Sequence, residues 1–161
     1  MEPTKTDLNQ LSNRISILKE KIALYRAEGF WQVEIAPEDI KEEDISSFPV
    51  DFRMLLKAIG TGILASHPDG SGYHVINIDM PYKFDGDNDD CSWFDHESEL
   101  VEYSRGEKSH PIENIYLVGH NVEYRFYGYD STQSPYQFVC EDDFVDYDGI
   151  ISLLEGKISE L

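Results

Sequence analysis

Three aspartates at alternate positions, Asp85-x-Asp87-x-Asp89, copy the first three ligand positions of a calcium-binding loop. The copy ends there. The sixth position is Asp90, where the turn needs glycine, and the twelfth is His96, where a bidentate glutamate is needed. A solvated acidic loop is therefore expected, with calcium affinity no more than incidental. A second acidic cluster, Glu141-Asp142-Asp143, follows a strand-like segment. Two carboxyls such as Asp142 and Asp143 can form a general acid and its partner. Nothing singles out one such pair among 32 acids. His67, His74, His96, His110 and His120 show no H-E-x-x-H or other paired ligand spacing. Gly70-Ser71-Gly72 is not a nucleophile elbow, because G-x-S-x-G is absent. Gly60-Thr61-Gly62 follows a helical pattern rather than a strand, and no phosphate-binding G-x-x-x-x-G-K-[ST] occurs. Cys91 lies among acids, which disfavour the thiolate and blunt its nucleophilicity; Cys140 fits a strand core. These patterns support no catalytic residue, metal site or cofactor.

Charge says more than motif. The chain of 161 residues holds 13 bases and 32 acids, a net charge of −19. Such a charge repels nucleic-acid phosphates and anionic lipid. Residues 1–33 carry five bases and four acids, whereas residues 34–161 carry eight bases and 28 acids. A near-neutral segment of net +1 is thus joined to a body of net −20. Acidic surfaces aid solubility, and they also suit a basic partner. Two cysteines are too few for a disulfide framework. The start MEPTKTDLNQ has no apolar leader region, so a cytoplasmic protein is expected. With 40% hydrophobic and 12% aromatic residues there is ample material for a core.

The elements that would position these groups are legible in the periodicity. Leu8, Leu11, Ile15, Leu18, Ile22 and Tyr25 alternate spacings of three and four, which predicts a long amphipathic helix. Asp7 with Gln10 is the expected start and Gly29 the stop. The stripe is expected to pack on its own chain, with a weak homodimer seam as the alternative. Trp31, Val33 and Ile35 alternate as a short strand. Pro37 opens a short helix running to about Asp44. Ser46 and Ser47 are the expected caps of the next helix, whose Phe52, Leu55, Leu56 and Ile59 share one face. Gly60 and Gly62 then end it and turn the chain. Beyond this point the period is two. Strands are expected over 73–80, with Ile76, Ile78 and Met80 on one face, over 116–118, over 122–127, with Val122, Tyr124 and Phe126 opposite Glu123, Arg125 and Tyr127, and over 136–140. Ile151, Leu154, Ile158 and Leu161 mark a final helix, weakened by Gly156. Tyr82, Trp93, Phe94, Tyr124, Tyr127 and Tyr129 lie in or near the acidic half, as binding aromatics or as ordinary sheet residues.

The run Phe48-Pro49-Val50-Asp51-Phe52-Arg53-Met54-Leu55-Leu56-Lys57-Ala58-Ile59-Gly60-Thr61-Gly62-Ile63-Leu64 resembles the signature of the SUKH superfamily. That superfamily includes the yeast Smi/Knr-type cell-wall assembly regulator and bacterial immunity proteins. Element order extends the resemblance over about residues 31–160, and Phe48 stands where leucine is usual. The resemblance implies an α+β fold: a mainly antiparallel sheet with helices packed against it, here carrying a long N-terminal helix over 1–30 before a domain over 31–161. It implies a non-catalytic immunity-type protein that binds and neutralises a toxin, often a basic nuclease. A scaffold in cell-wall assembly is the alternative, and a small acid-pair hydrolase is a weaker one. The expected contact residues are Asp85, Asp87, Asp89, Asp90 and Trp93 in the acidic loop, with Glu141, Asp142 and Asp143. The expected partner is a basic toxin domain, with no nucleic acid and no membrane.

Overall fold

The computed structural model describes residues 4–65, 67, 74–83, 114–120, 126–132, 134, 136–140 and 149–159. The fold is α+β. Helix α1 spans Lys5–Glu28 and begins earlier than the expected Asp7 cap. Thr4 is the cap: its hydroxyl accepts from the Asp7 amide and the Asp7 carboxylate accepts from the Thr4 amide, each at 3.0 Å. Asp7 is thus the third residue of a capping box, and Gln10 has no part in it. Gly29 ends the helix at φ 93°, as its position predicts. Ile15, Leu18 and Ile22 of the heptad stripe are buried, and α1 packs on its own chain.

Strand β1 (Trp31–Ile35) follows α1. The single helix expected from Pro37 is instead a 3-10 turn, Pro37–Asp39, and a separate one-turn helix α2, Glu42–Ile45. The break falls at Ile40, whose backbone is extended and whose side chain is buried; its carbonyl accepts from Lys57 Nζ at 3.1 Å. Burying Ile40 outweighs continuing a short acidic helix. Helix α3 (Val50–Ile59) is capped at Pro49 rather than at Ser46 or Ser47. Ser46 turns back to the Glu43 carbonyl, and the Phe52 amide is taken by the Asp51 carboxylate at 2.8 Å. Phe52, Leu55, Leu56 and Ile59 of α3 are all buried, as their spacing predicts. Gly60 leaves the helix at φ 74°, and a Cβ there would collide with the Ile35 carbonyl oxygen.

The strands form two antiparallel sheets where one was expected. The first has the order β1-β2-β3, with β2 Thr61–Ala65 and β3 His74–Ile78. The second has the order β4-β5-β6-β7, built from Tyr82–Lys83, Ile115–His120, Phe126–Asp130 and Gln137–Cys140. Strand β4 was not foreseen: Pro81 lies between β3 and β4, so the strand expected over 73–80 ends at Ile78 and pairing passes to the other sheet. The sheets meet at this bend. The Asp79 amide donates to the Val118 carbonyl at 2.7 Å, and the Tyr127 hydroxyl donates to the Asn77 carbonyl. Expected strand residues 121–125 lie outside the described residues. Tyr127, placed on the polar face by simple alternation, is buried, and so is Tyr129.

Helix α4 (Ile150–Ser159) closes the fold with Ile151, Leu154 and Ile158 buried; Leu161 lies outside the described residues. Arg14 of α1 reaches α4 through paired bonds to Glu155, at 2.5 and 3.3 Å, and one to Ser152 at 3.1 Å. One apolar core joins α1, α3, α4 and both sheets. Phe48 is its aromatic hub, with ring centroids 5.0–5.5 Å from those of Phe52, Tyr116, Tyr129 and Tyr136. An aromatic ring at 48 serves contacts that leucine could not make edge-to-face.

Candidate functional site

Asp85, Asp87, Asp89, Asp90, Trp93, Glu141, Asp142 and Asp143 all lie outside the described residues, as do Phe94 and Tyr124. Of the aromatics weighed as contact residues, Tyr127 and Tyr129 are core residues and Tyr82 is half-buried. Thr61 of the Gly60-Thr61-Gly62 run is structural: its buried hydroxyl accepts from the Ile35 amide at 3.0 Å. Among the described residues no group of three His, Cys, Asp or Glu side chains stands close enough to hold a metal ion.

A concave feature of the described residues runs between α1 and α3. It consists of two adjoining cavities of about 620 and 390 Å³ that share Lys19, Lys57 and Ala58. The larger is floored by Ile22, Trp31, Val33 and Ile59. Trp31 lies against Gly62, where a Cβ would come within 2.7 Å of the indole. Its Nε1 is buried with no hydrogen-bond partner. Four bases line the two cavities: Lys19, Arg26, Arg53 and Lys57. Glu42 takes up two of them, lying 3.2 Å from Lys57 and 3.9 Å from Arg53. Lys19 and Arg26 are exposed on α1 and form no ion pair among the described residues. The signal for this groove was present in the sequence, since Lys19 and Arg26 are two turns apart on one helix and Arg53 and Lys57 one turn apart on another. Only the packing of α1 on α3 brings the two pairs together.

Two half-buried carboxyls, Asp79 and Asp51, lie outside the acidic clusters read from the sequence. Asp79, just past β3, has its pKa pushed up to about 7, chiefly by burial and then by the Glu34 carboxyl, which both repels it and hydrogen-bonds to it. Asn77 Nδ2 donates to Asp79 at 2.6 Å and opposes the shift. The β1-β2-β3 meander brings Glu34 and Asp79 together. Neither residue lines the groove. Hydrogen-bonded carboxyls also lack the gap of ~5 Å or more that a glycosidase couple keeps. Asp51, at the start of α3, is raised by burial against the opposing pull of the Phe52 amide and Arg14. It faces Tyr129, whose buried hydroxyl has no hydrogen-bond partner and whose pKa burial and Asp51 together drive well above the ordinary tyrosine range. Both carboxyls are half-buried, where a proton costs less than a bare charge.

No family model, curated protein or solved structure matches this chain. Its own charge distribution is therefore the main guide to its surface. Residues 1–57 hold eight bases and 11 acids, a net of −3, and residues 58–161 hold five bases and 21 acids, a net of −16.

Proposed function

We propose that the protein is a non-catalytic binding module of the immunity type, which captures a basic toxin domain through its acidic body. The observation that carries this reading is the partition of charge. Bases gather on the helical side around the α1–α3 groove, and residues 58–161 are left with a net charge of −16. A surface of that sign speeds encounter with a basic partner and rejects acidic ones. The resemblance of residues 48–64 to the SUKH signature points the same way. In this reading the acidic clusters Asp85–Asp90 and Glu141–Asp143 flank the contact, with Trp93 as its aromatic anchor. The toxin is expected to be a nuclease whose basic substrate groove is blocked.

The test is binding to a toxin domain encoded beside this gene, followed by stopped flow at low and at physiological salt. The association rate is expected to fall as salt rises, because exposed charges are screened over about 8 Å at physiological ionic strength. Changing Asp85, Asp87, Asp89 and Asp90 to asparagine should slow association and leave the thermal midpoint nearly unchanged. No binding by the wild-type chain would remove the immunity reading.

A further inference from the structure

We infer that the α1–α3 groove is a second binding site, opposite in sign to the acidic body, for a free amphiphilic anion: a single apolar chain bearing a carboxylate, sulfonate or phosphate. The inference stands independently of the toxin reading, since it concerns different residues and a different class of ligand.

Four observations converge on it. The larger cavity, at about 620 Å³, lies within the range of small-ligand pockets, ~300–1,000 Å³. Its floor of Ile22, Trp31, Val33 and Ile59 is apolar, so an apolar body gains by entering it. Ala23 and Ala27 on α1 and Ala58 on α3 line it, and such short side chains leave the gap between the helices open. Its rim carries three bases, Lys19, Arg26 and Lys57, against one acid, Glu38. In a chain with 32 acids and 13 bases, chance favours an acidic neighbour for every base. Lys19 and Arg26 nevertheless border the cavity with no ion pair among the described residues, and Lys57 shares its one acid, Glu42, with Arg53. The indole that forms part of the floor also carries a buried N–H donor with no partner.

The surrounding charge narrows the ligand. A polyanion such as nucleic acid, or the surface of an anionic bilayer, would meet the repulsion of the whole chain's net charge of −19. One small anion meets chiefly the local groups, three bases against Glu38 around the larger cavity, because exposed charges are screened over about 8 Å. Lys19 and Lys57 both border the larger and the smaller cavity. An anionic head held by these two ammonium groups can therefore lay its chain along the floor toward Arg26. The reading involves no covalent step.

The test uses the full chain with Trp93→Phe, so that Trp31 is the sole tryptophan reporter. Dodecanoate, kept below its micelle concentration, is titrated while Trp31 fluorescence and calorimetric heat are followed. Dodecyltrimethylammonium is the counterpart with the same chain and the opposite charge. Saturable binding at one dodecanoate per chain is expected, at least about tenfold tighter than for the cation. Lys19→Glu with Arg26→Glu, both exposed sites, should weaken dodecanoate binding by about tenfold or more while circular dichroism is unchanged. Should the double reversal disturb the fold, Lys19→Gln is the milder variant and should still weaken binding severalfold. Ala23→Phe, which fills the cavity from an exposed helix position, should abolish binding of both amphiphiles. Equal affinity for anion and cation, no change on charge reversal, or no saturable binding of dodecanoate would each overturn the inference.

Discussion

The helical region and the strand-rich region share one core but divide the chain's charge unequally. Residues 1–57, which include α1, α2 and α3, have a net charge of −3 and turn four bases toward a groove with an apolar floor. Residues 58–161 supply six of the seven strands among the described residues and a net of −16. The difference teaches that a strongly acidic chain need not be uniformly acidic along its length. Arg14 illustrates the division, because the one α1 base bonded to α4 in the described residues is spent on structure, at Glu155. Lys19 and Arg26, further along the same helix, have no such acid among the described residues.

The common core is where the comparison breaks most severely. Phe52 is fully buried and touches both regions, its ring centroid 5.5 Å from that of Phe48 and 5.2 Å from that of Tyr129. Phe52→Ala should cost about 3–5 kcal/mol and unfold both regions in one transition, measured by urea denaturation. Separate transitions for helix and sheet signals would show that the regions are less coupled than their shared core implies.

The next effect is in the strand-rich region and depends on pH. Asp79 titrates at about 7 in the folded state against 3.8 ordinarily, so the folded chain binds the extra proton between those values. Its contribution is therefore complete below pH 3.8 and is lost as pH rises through 7. Solvent screening reduces the loss to on the order of 2–3 kcal/mol. Asp79→Asn, which keeps a neutral group beside Glu34 and Asn77, should be more stable than wild type at pH 8 and similar to it at pH 4. Thermal midpoints across that range check this, and an unchanged difference between the two proteins would mean that Asp79 is ionised throughout.

What the sequence made legible follows from this same contrast. Period and capping are local, so α1, α3 and α4 could be read from Ile15-Leu18-Ile22, Phe52-Leu55-Leu56-Ile59 and Ile151-Leu154-Ile158. Sites assembled from distant elements could not. Glu34 and Asp79 are 45 positions apart and meet only through the β1-β2-β3 meander. The groove needs α1 to pack on α3, and each base in it reads alone as an ordinary solvated helix residue. Tyr127 was misplaced because alternation assigns faces within one strand, whereas its hydroxyl is bonded to the Asn77 carbonyl at the join of two sheets. The split into two sheets follows from the bend at Asp79–Pro81, which no hydrophobic period encodes.

Two smaller changes sharpen the helical side. Thr4→Ala removes the capping-box hydroxyl and should cost about 1 kcal/mol, seen as faster amide exchange in the first turn of α1. Arg14→Gln breaks the exposed bridge to Glu155 and should cost only about 0.5 kcal/mol. A much larger loss at Arg14 would mean that its charge is also needed to hold the half-buried Asp51 carboxylate.

The most direct measurement sets the two surfaces against one another with a single partner. Association rates with the neighbouring toxin domain would be compared for wild type, for the variant with Asp85, Asp87, Asp89 and Asp90 changed to asparagine, and for Lys19→Glu with Arg26→Glu. The account predicts slower association for the aspartate variant and an equal or faster rate for the groove variant, with both differences shrinking as salt is raised. A groove variant that loses binding while the aspartate variant keeps its wild-type rate would contradict it.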